Sequence, residues 1–199
     1  MRSILRTAAL LAATALAAAP ARADAPAWTV DVENSRITYV ARQMLVPVPG
    51  RFRRFEARVR FDPDDLSTSE VAIVIDVASV ETPNRDVEAE IKREKWFDVA
   101  RFPTARFEAA SFAHRGGERY DASGRLTLRG VTRQVTLPVT IRIADDPDDP
   151  AKLRANAAGE VEVRRTAFGI GRAEWRNAAI VADEVVIRID IVARRPKPL

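Results

Sequence analysis

The sequence predicts an all-β fold of about eight antiparallel strands with one short helical insert, and three observations carry that prediction. Apolar residues recur at every second position along most of the chain, which is the strand period. The runs are broken by turn-like segments such as His114–Glu118 and Asp145–Pro150. One segment alone, Arg85–Phe97, switches to helical spacing. An antiparallel sheet of that size removes its free edges by closing or by folding into a sandwich. Closed at eight strands, it has room inside for side chains or one small ligand.

The first residues read as an export signal. Arg2 and Arg6 give the positive start, Ala8–Ala19 an apolar stretch, and Ala21-Arg22-Ala23 the small-x-small pattern that a signal peptidase needs. Cleavage after Ala23 is expected, leaving one domain over 24–199. Without Arg2, Arg6 and Arg22 the 32 Lys+Arg fall to 29 against 28 Asp+Glu, a net charge of about +1. That balance gives no support to a nucleic-acid partner. No later segment is apolar enough to cross a bilayer as a helix.

Among the strands, Ile37, Tyr39 and Ala41 share a face, as do Phe55, Ala57, Val59 and Phe61. Val71, Ile73, Ile75 and Val77 follow, then an extended run over Thr104–Phe112. The clearest hairpin is Tyr120–Ile143, with Leu126 and Leu128 inward and a tight turn expected at Gly130-Val131, Gly first. The chain returns with Val135, Leu137, Val139, Ile141 and Ile143 on one face; Pro138, which cannot donate to a ladder, is expected at an edge or bulge. Strands resume over Leu153–Val163 and Glu184–Ala193, the last with Val185, Ile187, Ile189 and Ile191 inward. The helical segment carries Val87 and Ile91, with Asn84 or Thr82 as its cap. Val46-Pro47-Val48-Pro49 reads as an exposed apolar loop.

The residue inventory excludes most enzyme chemistry. There is no Cys, hence no thiolate nucleophile, and one histidine, His114, in what reads as an exposed turn. A Ser-His-Asp arrangement needs its histidine held and aimed, and zinc needs several His or Cys ligands. No metal site is expected. Asp145, Asp146, Asp148 and Asp149 lack the Gly and closing Glu of a calcium loop and read as solvated. Gly169-Ile170-Gly171 is too short for a nucleotide fingerprint.

An ordered set of motifs resembles the YceI-like family. Trp28-Thr29-Val30-Asp31 with Ser35-Arg36-Ile37 is similar to its opening strand, and Gly50-Arg51-Phe52, Phe55 and Phe61-Asp62 to the next. Ser79-Val80-Glu81-Thr82, Trp96-Phe97-Asp98 and Phe102-Pro103-Thr104-Ala105-Arg106-Phe107 follow in order. Gly124-Arg125-Leu126-Thr127-Leu128-Arg129-Gly130-Val131-Thr132, Arg165, Phe168-Gly169-Ile170 and Asp183-Glu184-Val185 complete the set. Two positions depart: Gln43 stands where many members carry His, and Ala167 where members often have Asp. The likeness therefore carries over the apolar interior but no polar contact at those two positions.

The resemblance implies a lipocalin-like antiparallel eight-stranded barrel, exported to the periplasm and often dimeric. It implies a non-catalytic carrier, without cofactor, of a long isoprenoid lipid (polyprenyl or quinone-like) held inside, with a possible inner-membrane partner. An interaction module with a solid core, partnering a membrane protein of cytochrome type, is the alternative. The inward residues Tyr39, Phe55, Val59, Phe61 and Phe107 are expected to line the interior, together with Leu126, Leu128, Val139 and Ile141. Met44, Trp96, Phe97, Phe168, Ile170 and Trp175 are expected to close or shape its ends. Gln43, Arg51 and Arg165 are candidates to meet a headgroup near the mouth. An outer-membrane barrel is disfavoured, because Arg58, Arg60, Arg125, Arg129 and Arg188 on the second faces would each cost about 2–4 kcal/mol in lipid.

Overall fold

A computed structural model describes residues 24–198; the expected signal segment and its cleavage point lie outside the described residues. Ten strands and one helix follow in order: β1 (Ala27–Gln43), β2 (Val46–Phe52), β3 (Phe55–Arg60), β4 (Glu70–Asp76), β5 (Val80–Glu81), α1 (Arg85–Ile91), β6 (Thr104–His114), β7 (Arg119–Leu128), β8 (Val131–Asp145), β9 (Lys152–Arg164) and β10 (Glu184–Pro196). All pairings are antiparallel, and β10 returns to pair with β1. Eight strands thus form the closed barrel: β1, β3, β4, β6, β7, β8, β9 and β10. Two more, β2 and β5, exceed the eight strands that the periodicity predicts, and the Gly50–Phe52 motif lies in β2. They continue the wall above β3, because β1 is long enough to pair with β3 at Ala27–Trp28 and with β2 over Ile37–Gln43.

The β1–β10 closure is irregular. The register shifts between Asp31 and Arg36, and buried Ser35 fills the gap in the ladder: its Oγ accepts from Val192 N at 2.9 Å and donates to Asp31 O at 2.6 Å. Two turns also correct the sequence reading. The hairpin of β7 and β8 turns at Arg129-Gly130, not Gly130-Val131, with φ of +47° and +72°, the left-handed pair of a type I′ turn. The Val46–Pro49 segment is not a loop but the start of β2, with Pro47 opposite Arg42 and Pro49 opposite Val40. Arg42 O accepts from Ala182 N on its far side, so the prolines sit where their missing N–H groups face the free edge. Pro138 likewise lies where β9 pairing stops, one residue before the Val139–Gly159 pair.

Helix α1 ends at Ile91 and the chain continues as turns through Phe97, so the helix is shorter than its apolar spacing suggested. Asn84 is its cap, its side chain accepting from Asp86 N and Val87 N.

The two barrel ends differ. The lower end is stoppered by buried Trp28, Phe61 and Tyr120: Trp28 Nε1 donates to Phe61 O at 2.9 Å and the Phe61 and Tyr120 rings meet edge-on at 5.2 Å. Arg195 lies over the Trp28 ring. The Asp145–Pro150 turn is also at this end; Asp145 and Asp148 are exposed as a solvated loop requires, but at Asp146 that expectation fails. Asp146 is buried and accepts from Arg194, which also donates to Asp31. One guanidinium thus ties β10, β1 and the β8–β9 turn together. The upper end is covered by α1 and by the irregular segment between Arg165 and Asp183. Among the described residues, no helix is long and apolar enough to cross a membrane.

Hydrogen bonds from the Asn34 side chain and from Arg194 hold the Asp31 carboxyl at about 2 instead of 3.8. A depressed carboxylate stabilises the fold above its unfolded value and loses that contribution as pH falls through the folded one. Asp31→Asn is expected to lower the urea midpoint at pH 5. The gap from the parent protein should close between pH 4 and pH 2; a gap that stays constant to pH 2 would remove Asp31 from the acid response.

Candidate functional site

Alternation places one apolar side chain of every pair inside the barrel, but the interior is not filled evenly. A cavity of about 330 Å³ lies in the upper half, within the range of roughly 300–1,000 Å³ typical of small-molecule sites. A second void of about 80 Å³ lies below it. Phe107, on β6, packs against all three clusters of the core and so stands between the two spaces.

Strands, helix and loop each supply part of the upper wall. Tyr39 and Ala41 come from β1, Val48 and Phe52 from β2, Leu128 from β7, and Val185 and Ile187 from β10. Helix α1 turns Val87 and Ile91 inward, because residues four apart share a helix face. The turns after it bring Trp96 and Phe97, and the 165–183 segment adds Ile170, Trp175 and Val181. The aromatic residues touch in a chain around the wall: Tyr39 and Phe52 at 5.8 Å, Phe52 and Phe97 at 6.1 Å, Trp96 and Trp175 at 5.4 Å.

Polar groups gather at the rim, where Arg42, Gln43, Asp86 and Glu90 join the lining. Lower in the wall is the Tyr39 hydroxyl, which has no hydrogen-bond partner among the described residues. Burial, with the Glu88 charge adding to it, pushes its titration upward, so the hydroxyl remains a proton donor at any physiological pH.

Arg165 is the most committed side chain in this region. It is 3 % exposed, and its five N–H groups reach five backbone carbonyls. Nε donates to Ala182 O at 2.9 Å; Nη1 to Ile170 O at 3.0 Å and Gly171 O at 3.3 Å; Nη2 to Trp175 O at 2.6 Å and Val181 O at 2.7 Å. Its guanidinium also stands 5.6 Å from the Trp96 ring centre. Gly171 comes so close to Arg165 that a Cβ there would sit 1.9 Å from Nη1.

Of the residues expected to line the interior, Tyr39, Leu128, Trp96, Phe97, Ile170 and Trp175 surround the upper cavity. Val59, Phe61, Phe107, Val139 and Ile141 surround the lower void. Phe55, Leu126 and Phe168 are buried in solid core and border neither space. Met44 stands outside the lining, 66 % exposed in the β1–β2 turn. Of the headgroup candidates, Gln43 is at the rim. Arg51 is on the outer surface, its Nη2 2.8 Å from the Glu81 carboxylate. Arg165 touches the cavity, but its donors are consumed by the chain's own carbonyls, leaving none for a headgroup. His114 lies not in the turn but at the last position of β6, opposite Tyr120, exposed and with Nε2 2.8 Å from Gly117 O.

Several lining residues were not singled out from sequence. Val185, Ile187, Val87 and Ile91 lay on faces already marked as apolar, and only their height in the barrel was missing. Phe52 was hidden by the reading of the segment before it as loop. Val181 belongs to no periodic run, and nothing in the sequence marks it.

Known proteins with this architecture bear on the site. The model of the YceI-like domain matches residues 28–193. The Protein YceI of Salmonella newport is 31% identical over 132 residues, 66% of this chain and 67% of its own. Among solved structures, Burkholderia cenocepacia BcnA superposes with a TM-score of 0.74 at 35% identity, covering 82% of this chain and 98% of that one. A polyisoprenoid binding domain from Saccharophagus degradans, at 16% identity, gives a TM-score of 0.65 over 85% of this chain and 98% of its own, which is a likeness of fold.

Lysine can satisfy at most three of the five carbonyls that Arg165 serves, and an unsatisfied buried acceptor costs about 1–3 kcal/mol. Arg165→Lys is therefore expected to lower stability by roughly 2–4 kcal/mol, and Arg165→Met by more. Both should speed amide exchange across 166–183. Urea unfolding and hydrogen exchange check this; a Lys variant as stable as the parent would mean that water replaces the guanidinium without loss.

Proposed function

Since this chain belongs to the YceI-like family, we propose that its upper cavity carries a long-chain isoprenoid lipid, polyprenyl or quinone-like, as a non-catalytic binding protein of the periplasm. The observation that carries the reading is the cavity itself: about 330 Å³, walled mainly by aliphatic and aromatic side chains, its polar groups being the Tyr39 hydroxyl, the Trp96 indole N–H, the Arg165 guanidinium already bonded to backbone carbonyls, and the rim. Burying one CH₂ group stabilises by about 0.8 kcal/mol, so an isoprenoid tail supplies its own drive and needs no charged anchor. A structure of the same fold, from Saccharophagus degradans, is described as polyisoprenoid binding, and that description supports the same class of cargo here.

Export to the periplasm rests on the signal-like character of residues 1–23. The homodimer and the inner-membrane partner come from the family resemblance and belong to the same proposal. The carrier role without chemistry is supported by the histidine's position: His114, the last residue of β6, is exposed at the end opposite the cavity. The second reading, a solid-cored interaction module for a cytochrome-type membrane partner, draws on the exposed apolar turn at Met44-Leu45, but the upper cavity weighs against its core.

Native mass spectrometry of protein from the periplasm, followed by solvent extraction, tests the carrier. One polyprenyl or quinone mass per chain is expected. Ile187→Trp, which fills the cavity from β10, should reduce uptake at least tenfold. Empty protein that also refuses added isoprenoids would move the assignment to the interaction module.

A further inference from the structure

Among the described residues, five large apolar side chains are exposed, and four of them meet at one place. Met44 is 66 %, Leu45 90 %, Val46 63 % and Ile180 37 % exposed. The first three form the β1–β2 turn and Ile180 lies beside them, Met44 N donating to Ile180 O at 2.9 Å. Such clustering marks an interaction surface, whereas single exposed apolar residues need no explanation.

The backbone makes the choice of residues more pointed. Met44 and Leu45 have φ of +46° and +69°, the left-handed pair of a two-residue hairpin for which Asn-Gly is the favoured sequence. Two bulky apolar residues there are strained and exposed at once, so folding does not account for them, and strain of this kind accompanies function. The patch is also continuous with the cavity. Gln43 and Val181, which pair as an isolated bridge, line the cavity wall immediately beneath it. Arg42, two residues before the turn, and Arg176, four residues before Ile180, are both exposed and neither is ion-paired with another described residue, which suits an anionic lipid surface.

We propose that the Met44–Val46 turn with Ile180 is a membrane-docking tip that enters the apolar boundary of a lipid bilayer. It brings the cavity mouth against the membrane, so that a cargo exchanges between bilayer and barrel without crossing water. The exchange rests on the isoprenoid reading; the docking itself does not.

The test uses the mature protein and isoprenoid-free vesicles of phosphatidylcholine, with and without 30 mol% phosphatidylglycerol (a conventional fraction, about a third, chosen to resolve the charge response). Co-sedimentation is expected with both, several-fold stronger with the anionic lipid. The double variant Met44→Asn/Leu45→Gly should lose binding about tenfold or more. It places the favoured residues at the turn, so its thermal midpoint should equal or exceed the parent's, and lost binding then cannot be lost folding. Binding unchanged in the double variant overturns the proposal. So does a parent protein that ignores vesicles and instead forms a homodimer which the variant dissociates, since the tip would then serve a second copy. Because no isoprenoid is present, docking can succeed while cargo uptake fails, or the reverse.

Discussion

Everything above the rim of this barrel depends on one buried cation. Arg165 sits at the end of β9 and its guanidinium faces carbonyls from Ile170, Gly171, Trp175, Val181 and Ala182. These belong to an irregular segment with few sheet partners to define its path. Burying a charge is costly unless its hydrogen bonds are met, and here each N–H has its own acceptor. The dense convergence of carbonyl dipoles compensates for the absence of a bonded carboxylate. The segment so organised brings Trp175 and Val181 to the cavity wall and supports the turn at Met44. Remove the guanidinium and the wall loses the thing that gives it a shape.

The hollow interior follows from the helix and from Phe107. Eight strands would ordinarily be filled by their own inward side chains, and in the lower half they are, apart from a small void. In the upper half β2 and β5 carry the wall beyond the closed barrel, and α1 roofs the added height. The space is larger than the inward side chains can fill, and it stays apolar because α1 turns Val87 and Ile91 toward it while keeping its charges at the rim.

Much of this was legible beforehand. Period-two alternation identified the inward faces of β1, β3, β7, β8 and β10, and the ordered motifs identified the barrel. Alternation gives the face of a strand but not the height at which the barrel is hollow. That depends on the stagger between strands, which no single strand encodes. Hence Phe55 and Leu126 had the right face and the wrong level, in solid core, while Val185 and Ile187 were inward and went unchosen. Arg165 stands out in sequence, but its role does not, since its partners are backbone carbonyls, which every residue has and no sequence pattern displays. The neighbours of Asp146, two prolines and three acids, suggest a solvated carboxylate, whereas its environment is set by Arg194, 48 positions away. The β1–β2 hairpin was lost because Pro47 and Pro49 argue against a strand; only pairing shows that they face a free edge.

The aromatic stopper of Trp28, Phe61 and Tyr120 gives the barrel a bottom, and with it a direction. A tube open at both ends could take a molecule from one neighbour and pass it out to another in a single file. A thimble cannot. Whatever enters by the upper mouth leaves by it, tail first in and head first out, and the giver must step away before the receiver can approach. For the carrier proposed above, loading and unloading are then two visits separated in time, and this shape suits a shuttle between surfaces better than a bridge joining them.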